Sequence, residues 1–334
     1  MKKTTKRMLL LSCSLMAAGL LFTGIGFAIG GLPGISWSKK GIASASSQTE
    51  YRQEKEKTQP FKNIKIDIHS MADVCLLPSD DQNFYVEYVL DGDYNTPSCE
   101  VKNNTLYLGQ DGTSLSFSFD FNWQATKTDA YCNVYIPKDV PLGTLDIYND
   151  AGNLTISSVF ADTASMSLDF GDLTMKDSSF KDLTLEMDSG DISAKSVHAE
   201  VLSLTNNFGD STLKDFSGKE ASVYIDSGDF LMEAAALDSF TGENDFGDIE
   251  LLLAEPLDSY SFDLAADFGN ILLPENAAKG YYSKEEDGED YYKTEGKADK
   301  TIHITVDSGD IEIKTCLLYT SKRNIYDNPS YSHA

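Results

Sequence analysis

Carboxylates recur in this sequence in two columns of fixed spacing, and carboxylates so placed can hold a cation or cap a turn. The first column is Asp150, Asp169, Asp188, Asn207, Asp226, Asp245, Asp267 and Asp307. The second is Asn153, Asp172, Asp191, Asp210, Asp229, Asp248, Asn270 and Asp310. Stacked units would bring Asp169, Asp172, Asp188, Asp191, Asp226, Asp229, Asp245 and Asp248 into a ladder of oxygen ligands of the kind calcium takes. The rival use is structural, because an Asp or Asn beside a turn accepts that turn's own backbone N–H groups. Carboxylates stacked about 5 Å apart repel by roughly 0.8 kcal/mol in water, so such a ladder needs compensation from amides or a cation. The calcium repeat GGxGxDxUx is absent and the period is 19 rather than nine, which favours capping.

Catalysis asks for a different pattern. An acid–base pair is one special site whose two carboxyl groups are tuned apart, whereas these acids return in every unit. The histidines are His69, His198, His303 and His333, and none stands in HExxH or another metal spacing. No GxSxG, Walker-type loop or GxGxxG occurs. His198 reads as a turn residue and His303 as outward-facing between Ile302 and Ile304. The sequence therefore offers no catalytic residue, and a non-enzymatic protein is expected. The alternatives it leaves open are a calcium-binding surface adhesin and a carbohydrate-active β-helix enzyme.

The elements that position the acids are read from the glycines between them. Gly152, Gly171, Gly190, Gly209, Gly228 and Gly247 follow one another at 19 residues, Gly269 comes after 22 and Gly309 after 40. Apolar columns run with them: Leu154, Leu173, Ile192 and Ile249 stand two residues after the glycine, and Ile156, Met175, Leu213 and Leu251 four after. Each unit reads as two short half-buried strands joined at the Gly-Asp turn, with a second turn around Lys176 to Lys181. The constant phase predicts an all-β repeat solenoid with about 19 residues per coil, in preference to a meander of hairpins. Just before each glycine stand Ala151, Phe170, Ser189, Phe208, Ser227, Phe246, Phe268 and Ser308. Their parity matches the inward positions, so each Phe is expected to fill space over a Ser of the next coil.

The chain has 334 residues and a formal charge of −26, which opposes nucleic-acid phosphates and anionic lipid alike. A basic cluster opens the chain, in Lys2, Lys3, Lys6 and Arg7, and no further charge appears before Lys39. Between them Met8 to Ile29 is apolar and long enough to cross a bilayer, which takes about 20 residues. The preceding charges put the N-terminus in the cytoplasm and the rest outside. A cleaved signal peptide ending at Ala43-Ser44-Ala45 is the alternative to a retained anchor, and both export the body. The expected organisation is an anchor over 1–35, a polar linker over 36–60, an irregular β region over 61–144 and the regular solenoid over 145–315. Within the β region, strands are expected at Ile64–Ile68, Tyr85–Leu90, Thr105–Leu108, Ser114–Phe121 and Tyr131–Ile136. A tyrosine-bearing charged excursion at 277–300 reads as an inserted loop, either a binding loop or a solvated one. Cys75, Cys99 and Cys132 show no metal spacing and read as buried free thiols. Cys316-Leu317-Leu318-Tyr319-Thr320-Ser321 looks like the translation of a transposon end used in sequencing libraries, so 316–334 reads as non-native.

The anchor ending Gly24-Ile25-Gly26-Phe27-Ala28-Ile29-Gly30-Gly31, the Phe61 to Ile68 opening and the repeated Ser-Gly-Asp-Ile and Phe-Gly-Asp-Leu turns resemble a bacterial putative-adhesin family of unknown function. The resemblance covers Phe61 to Lys314. It implies a β-solenoid, a Gram-positive-type envelope and relatives encoded beside envelope-stress regulators, and it carries no catalytic residue. The expected function is therefore adhesion, scaffolding or envelope-stress sensing, by display of an acidic surface to an envelope protein or cell-wall polymer.

Overall fold

The computed structural model describes residues 35–38, 41–44, 50–92, 94–112, 129–138, 140–274, 280–284, 290–294 and 298–315. The anchor, the Ser114–Phe121 strand and the 316–334 tail lie outside the described residues. No described helix is long and apolar enough to cross a membrane. Ile35–Ser38 and Gly41–Ser44 pair antiparallel within a smaller unit that also includes Asp91 and Tyr94. The larger unit begins at Tyr51 and contains all the repeats.

Within the described residues the fold is all-β, with no α-helix and one short 3-10 turn at Leu257–Ser259. Alternation of apolar and polar residues dictates the strands, and the register shows how they associate. Phe160–Phe170 runs parallel to Leu173–Ser189, with Ala164 opposite Leu183 and Met166 opposite Leu185. Leu173–Ser189 in turn runs parallel to Ile192–Phe208, with Leu173 opposite Ile192 and Leu183 opposite Leu202. Each step is one 19-residue unit, so units stack as coils and the hairpin meander is excluded. The core is made of columns of like position. Ile66, Ile147, Met166, Leu185, Leu204 and Val223 form one, each 2% exposed or less. Ser211 breaks an apolar column, and it is buried because the Asn206 side chain donates to its hydroxyl at 3.2 Å.

Both ends of the stack depart from chain order. At one end Asn63–Met71 lies parallel to Leu142–Ala151 on one side and to Thr105–Gln110 on the other. Antiparallel strands close that end: Ser98–Lys102 on Thr105–Gln110, and Tyr85–Asp91 on Tyr131–Pro137. Glu50–Lys57, expected within a linker, is a strand that pairs with Tyr85–Asp91. Its alternating Tyr51, Gln53 and Lys55 carry too little apolar character to announce a strand. At the other end Lys300–Ser308 inserts between Ser239–Phe246 and Tyr260–Phe268, parallel to both. The charged excursion is no simple loop. Asp290–Thr294 adds antiparallel to Tyr260–Phe268, and Gly280–Lys284 pairs with it in turn. An uncovered edge strand would offer unpaired backbone groups to other chains, and these end strands occupy that place.

Candidate functional surface at the glycine corner

All the sequence-predicted acids come to one corner of the coils, where the chain turns at glycine. Gly190 has φ of 144°, and a Cβ there would meet the Gly171 carbonyl oxygen at 2.0 Å. The glycine is thus required twice, for its backbone conformation and for the approach of one coil to the next. The acids after the glycines form a continuous ladder. Asp172 accepts the backbone N–H of Asp191 at 3.0 Å, Asp191 that of Asp210 at 2.9 Å and Asp210 that of Asp229 at 2.9 Å. Asp229 accepts from Asp248 at 2.9 Å and Asp248 from Asp310 at 2.7 Å. Asp73 opens the ladder on Asn153, and Asp310 closes it on Asn270. The local turn rule places each cap within its own turn. The partner is instead the equivalent residue one coil away, because the coils stack in register.

The column before the glycines is tied by side chains. Tyr148 donates to Asp169 at 2.8 Å, Tyr224 to Asp245 at 3.0 Å and Asn207 to Asp188 at 2.8 Å. Burial and the bond to Asp169 push the Tyr148 phenol up to about 12. Asp169, Asp188, Asp226 and Asp245 thus follow one column and Asp172, Asp191, Asp229 and Asp248 the other, as the spacing requires. None of these eight belongs to a set of three ligand atoms within 4.8 Å of one another. Among the described residues that arrangement occurs only at Asp67, His69 and Asp111, at the far end of the stack. The Asp-x-His spacing places the first two on one strand face, whereas Asp111 follows a strand paired beside them and gives no local signal.

The residues just before the glycines do not point inward. Phe170 is 62% exposed, Phe208 58%, Phe246 61% and Phe268 72%. The inward parity holds through Leu168, but the ladder passes from Leu168 opposite Met187 to Phe170 opposite Ser189, omitting Asp169. Alternation is lost there as the chain enters the turn, so parity counted from the strand fails one residue before the glycine. His198 also differs from expectation. It lies within the strand Ile192–Phe208, with Nδ1 2.9 Å from the Ser217 hydroxyl. His303 is exposed, as its place between two isoleucines implies. Cys75, Cys99 and Cys132 are free thiols, and burial pushes Cys99 up to about 11 and Cys132 well above the ordinary range. A thiol so held is a poor nucleophile at neutral pH.

In-register parallel coils, closed at both ends by antiparallel strands, define a repeat-built β stack. The chain belongs to the family described as Toastrack DUF4097, whose profile matches residues 61–314. No curated protein matches it. A solved structure described as a putative adhesin from Bacteroides fragilis is 13% identical, with 80% of this chain and 98% of that one covered at a TM-score of 0.38. A putative adhesin from Parabacteroides distasonis is 14% identical, with 80% and 98% covered at a TM-score of 0.41. A putative lipid binding protein from Parabacteroides distasonis is 14% identical, with 81% and 97% covered at a TM-score of 0.36.

Proposed function

We propose that the protein is a non-enzymatic adhesion or scaffold module, anchored in a bacterial cell membrane with its coils outside. The basic start and the apolar run Met8 to Ile29 support the anchor and its orientation. The observation that carries the reading is the glycine corner, where the same bond from a backbone N–H to an Asp or Asn side-chain oxygen recurs from Asp73 through Asn153 to Asn270. A surface that repeats its chemistry at each step of about 4.8 Å suits a polymer or extended envelope partner. Each step then adds an equivalent contact, and linked weak contacts multiply into firm attachment. Sedimentation of the full chain, in mild detergent, with Gram-positive-type cell walls tests this. The protein is expected in the pellet at physiological salt, and its remaining in the supernatant with an equally acidic control would refute the proposal.

A further inference from the structure

The row of residues before the glycines alternates in space more strictly than in sequence. Along the chain the last three are Phe246, Phe268 and Ser308, which breaks the alternation. In the stack Ser308 lies between them, opposite Phe246 on one side and Phe268 on the other. At the other end Ala151 lies opposite Met71, which is 62% exposed and extends the row. The spatial order is therefore Met71, Ala151, Phe170, Ser189, Phe208, Ser227, Phe246, Ser308 and Phe268. Large apolar side chains recur at every second coil, about 9.6 Å apart, over about 38 Å. Single exposed apolar side chains are ordinary, but five of them in one straight row at a constant interval form a regular surface feature.

We propose that this row binds an extended glycan of neutral or amino-bearing pyranoses. The proposal rests on the adhesion reading above and names the partner class. A pyranose has an apolar C–H face that packs on an aromatic ring, and a rim of hydroxyl groups that needs acceptors. The acid columns on either side of the phenylalanines supply those acceptors. In an extended β-1,4-linked chain successive sugars are turned over, so like faces recur once per disaccharide, a length comparable to two coils. That match explains why the rings are separated by Ser or Ala instead of forming an unbroken patch. A lipid surface or a hydrophobic protein face would have to desolvate the flanking carboxylates, which is costly without partners. Two copies meeting along this row would oppose their acid columns, and a polyanion would meet the same repulsion.

The test uses the full chain and a variant carrying Phe170→Ser, Phe208→Ser, Phe246→Ser and Phe268→Ser. Serine already occupies the intervening steps, so the corner tolerates it. Affinity electrophoresis through soluble chitosan and through glycol chitin, with heparin as the polyanion control, gives the readout. Wild type is expected to be retarded by at least one of the two amino-sugar polymers and not by heparin, and the variant's affinity to fall by about tenfold or more. Equal retardation of variant and wild type, or retardation of wild type by neither polymer, would overturn the proposal. A variant that still sediments with cell walls as wild type does would remove the glycan row while leaving the adhesion reading intact. A dimeric wild type made monomeric by the substitutions, seen by analytical ultracentrifugation, would assign the row to self-association instead.

Discussion

From Gly152 to Asp215 each coil turns at two kinds of corner, and both use left-handed or otherwise positive-φ backbone, yet only one needs glycine. At the second corner Ser158, Asp177, Ser196 and Asp215 have φ between 50° and 56° and recur at 19 residues. This is the left-handed region that Asp and Ser enter at modest cost. At the first corner Gly171, Gly190 and Gly209 have φ of 134°, 144° and 138°, outside that region. There an added Cβ would also collide with a carbonyl of the neighbouring coil. Positive φ alone therefore does not explain the glycine repeat. A φ near 140° together with the close approach between coils does, and the two explain why one corner is conspicuous in the sequence and the other is not.

The strongest way to break this distinction is Gly190→Ala. It places a Cβ 2.0 Å from the Gly171 carbonyl oxygen. Stability should fall by roughly 3 kcal/mol or more, read as a lower urea midpoint. A loss below ~1 kcal/mol would show that the coils can part at this corner without consequence. An intermediate effect is expected from Asp210→Ala, which removes the acceptor for the Asp229 N–H. The cost should be about 1 kcal/mol, while Asp210→Asn keeps the acceptor, removes repulsion with neighbouring acids and should match or exceed wild type. In the same experiment calcium or a chelator should leave the melting temperature unchanged, and a chelator-sensitive transition would restore the cation ladder. The smallest effect belongs to Ser196→Gly at the second corner. Relief of left-handed strain and the added freedom of the unfolded chain oppose each other, so stability should stay within about 1 kcal/mol of wild type.

The sequence made the coil legible because stacking in register repeats every requirement at one interval. Leu173, Ile192 and Ile249 could be assigned to the core, and Asp172, Asp191 and Asp229 to one line, without coordinates. What escaped depended on contacts made across coils or at the ends. The partner of Asp210 lies one coil away, so a local turn rule named the wrong N–H. Phe170 ends its strand and follows the parity on paper, yet its side chain faces solvent at the entry to the turn. Tyr282 and Asp290 sit in a stretch whose charge suggested a solvated loop, yet Tyr282 donates to the buried Asp290 at 2.8 Å within an end hairpin. The turn expected around Lys176 to Lys181 does hold the left-handed Asp177, but which residue takes that conformation had no compositional mark, since Ser and Asp are common in ordinary turns.

The insertion of Lys300–Ser308 between two earlier coils has a consequence for the timing of assembly. Through most of the stack each new coil can settle on the one just made as the chain emerges, as repeat arrays do. Tyr260–Phe268 cannot, because its neighbour on the stack is not yet available. It must wait, with Phe262 and Leu264 uncovered, until the 300–315 segment arrives and both coils close together. A chain halted before that segment would carry an open sheet edge and exposed apolar side chains, which are the marks by which incomplete products aggregate or are degraded.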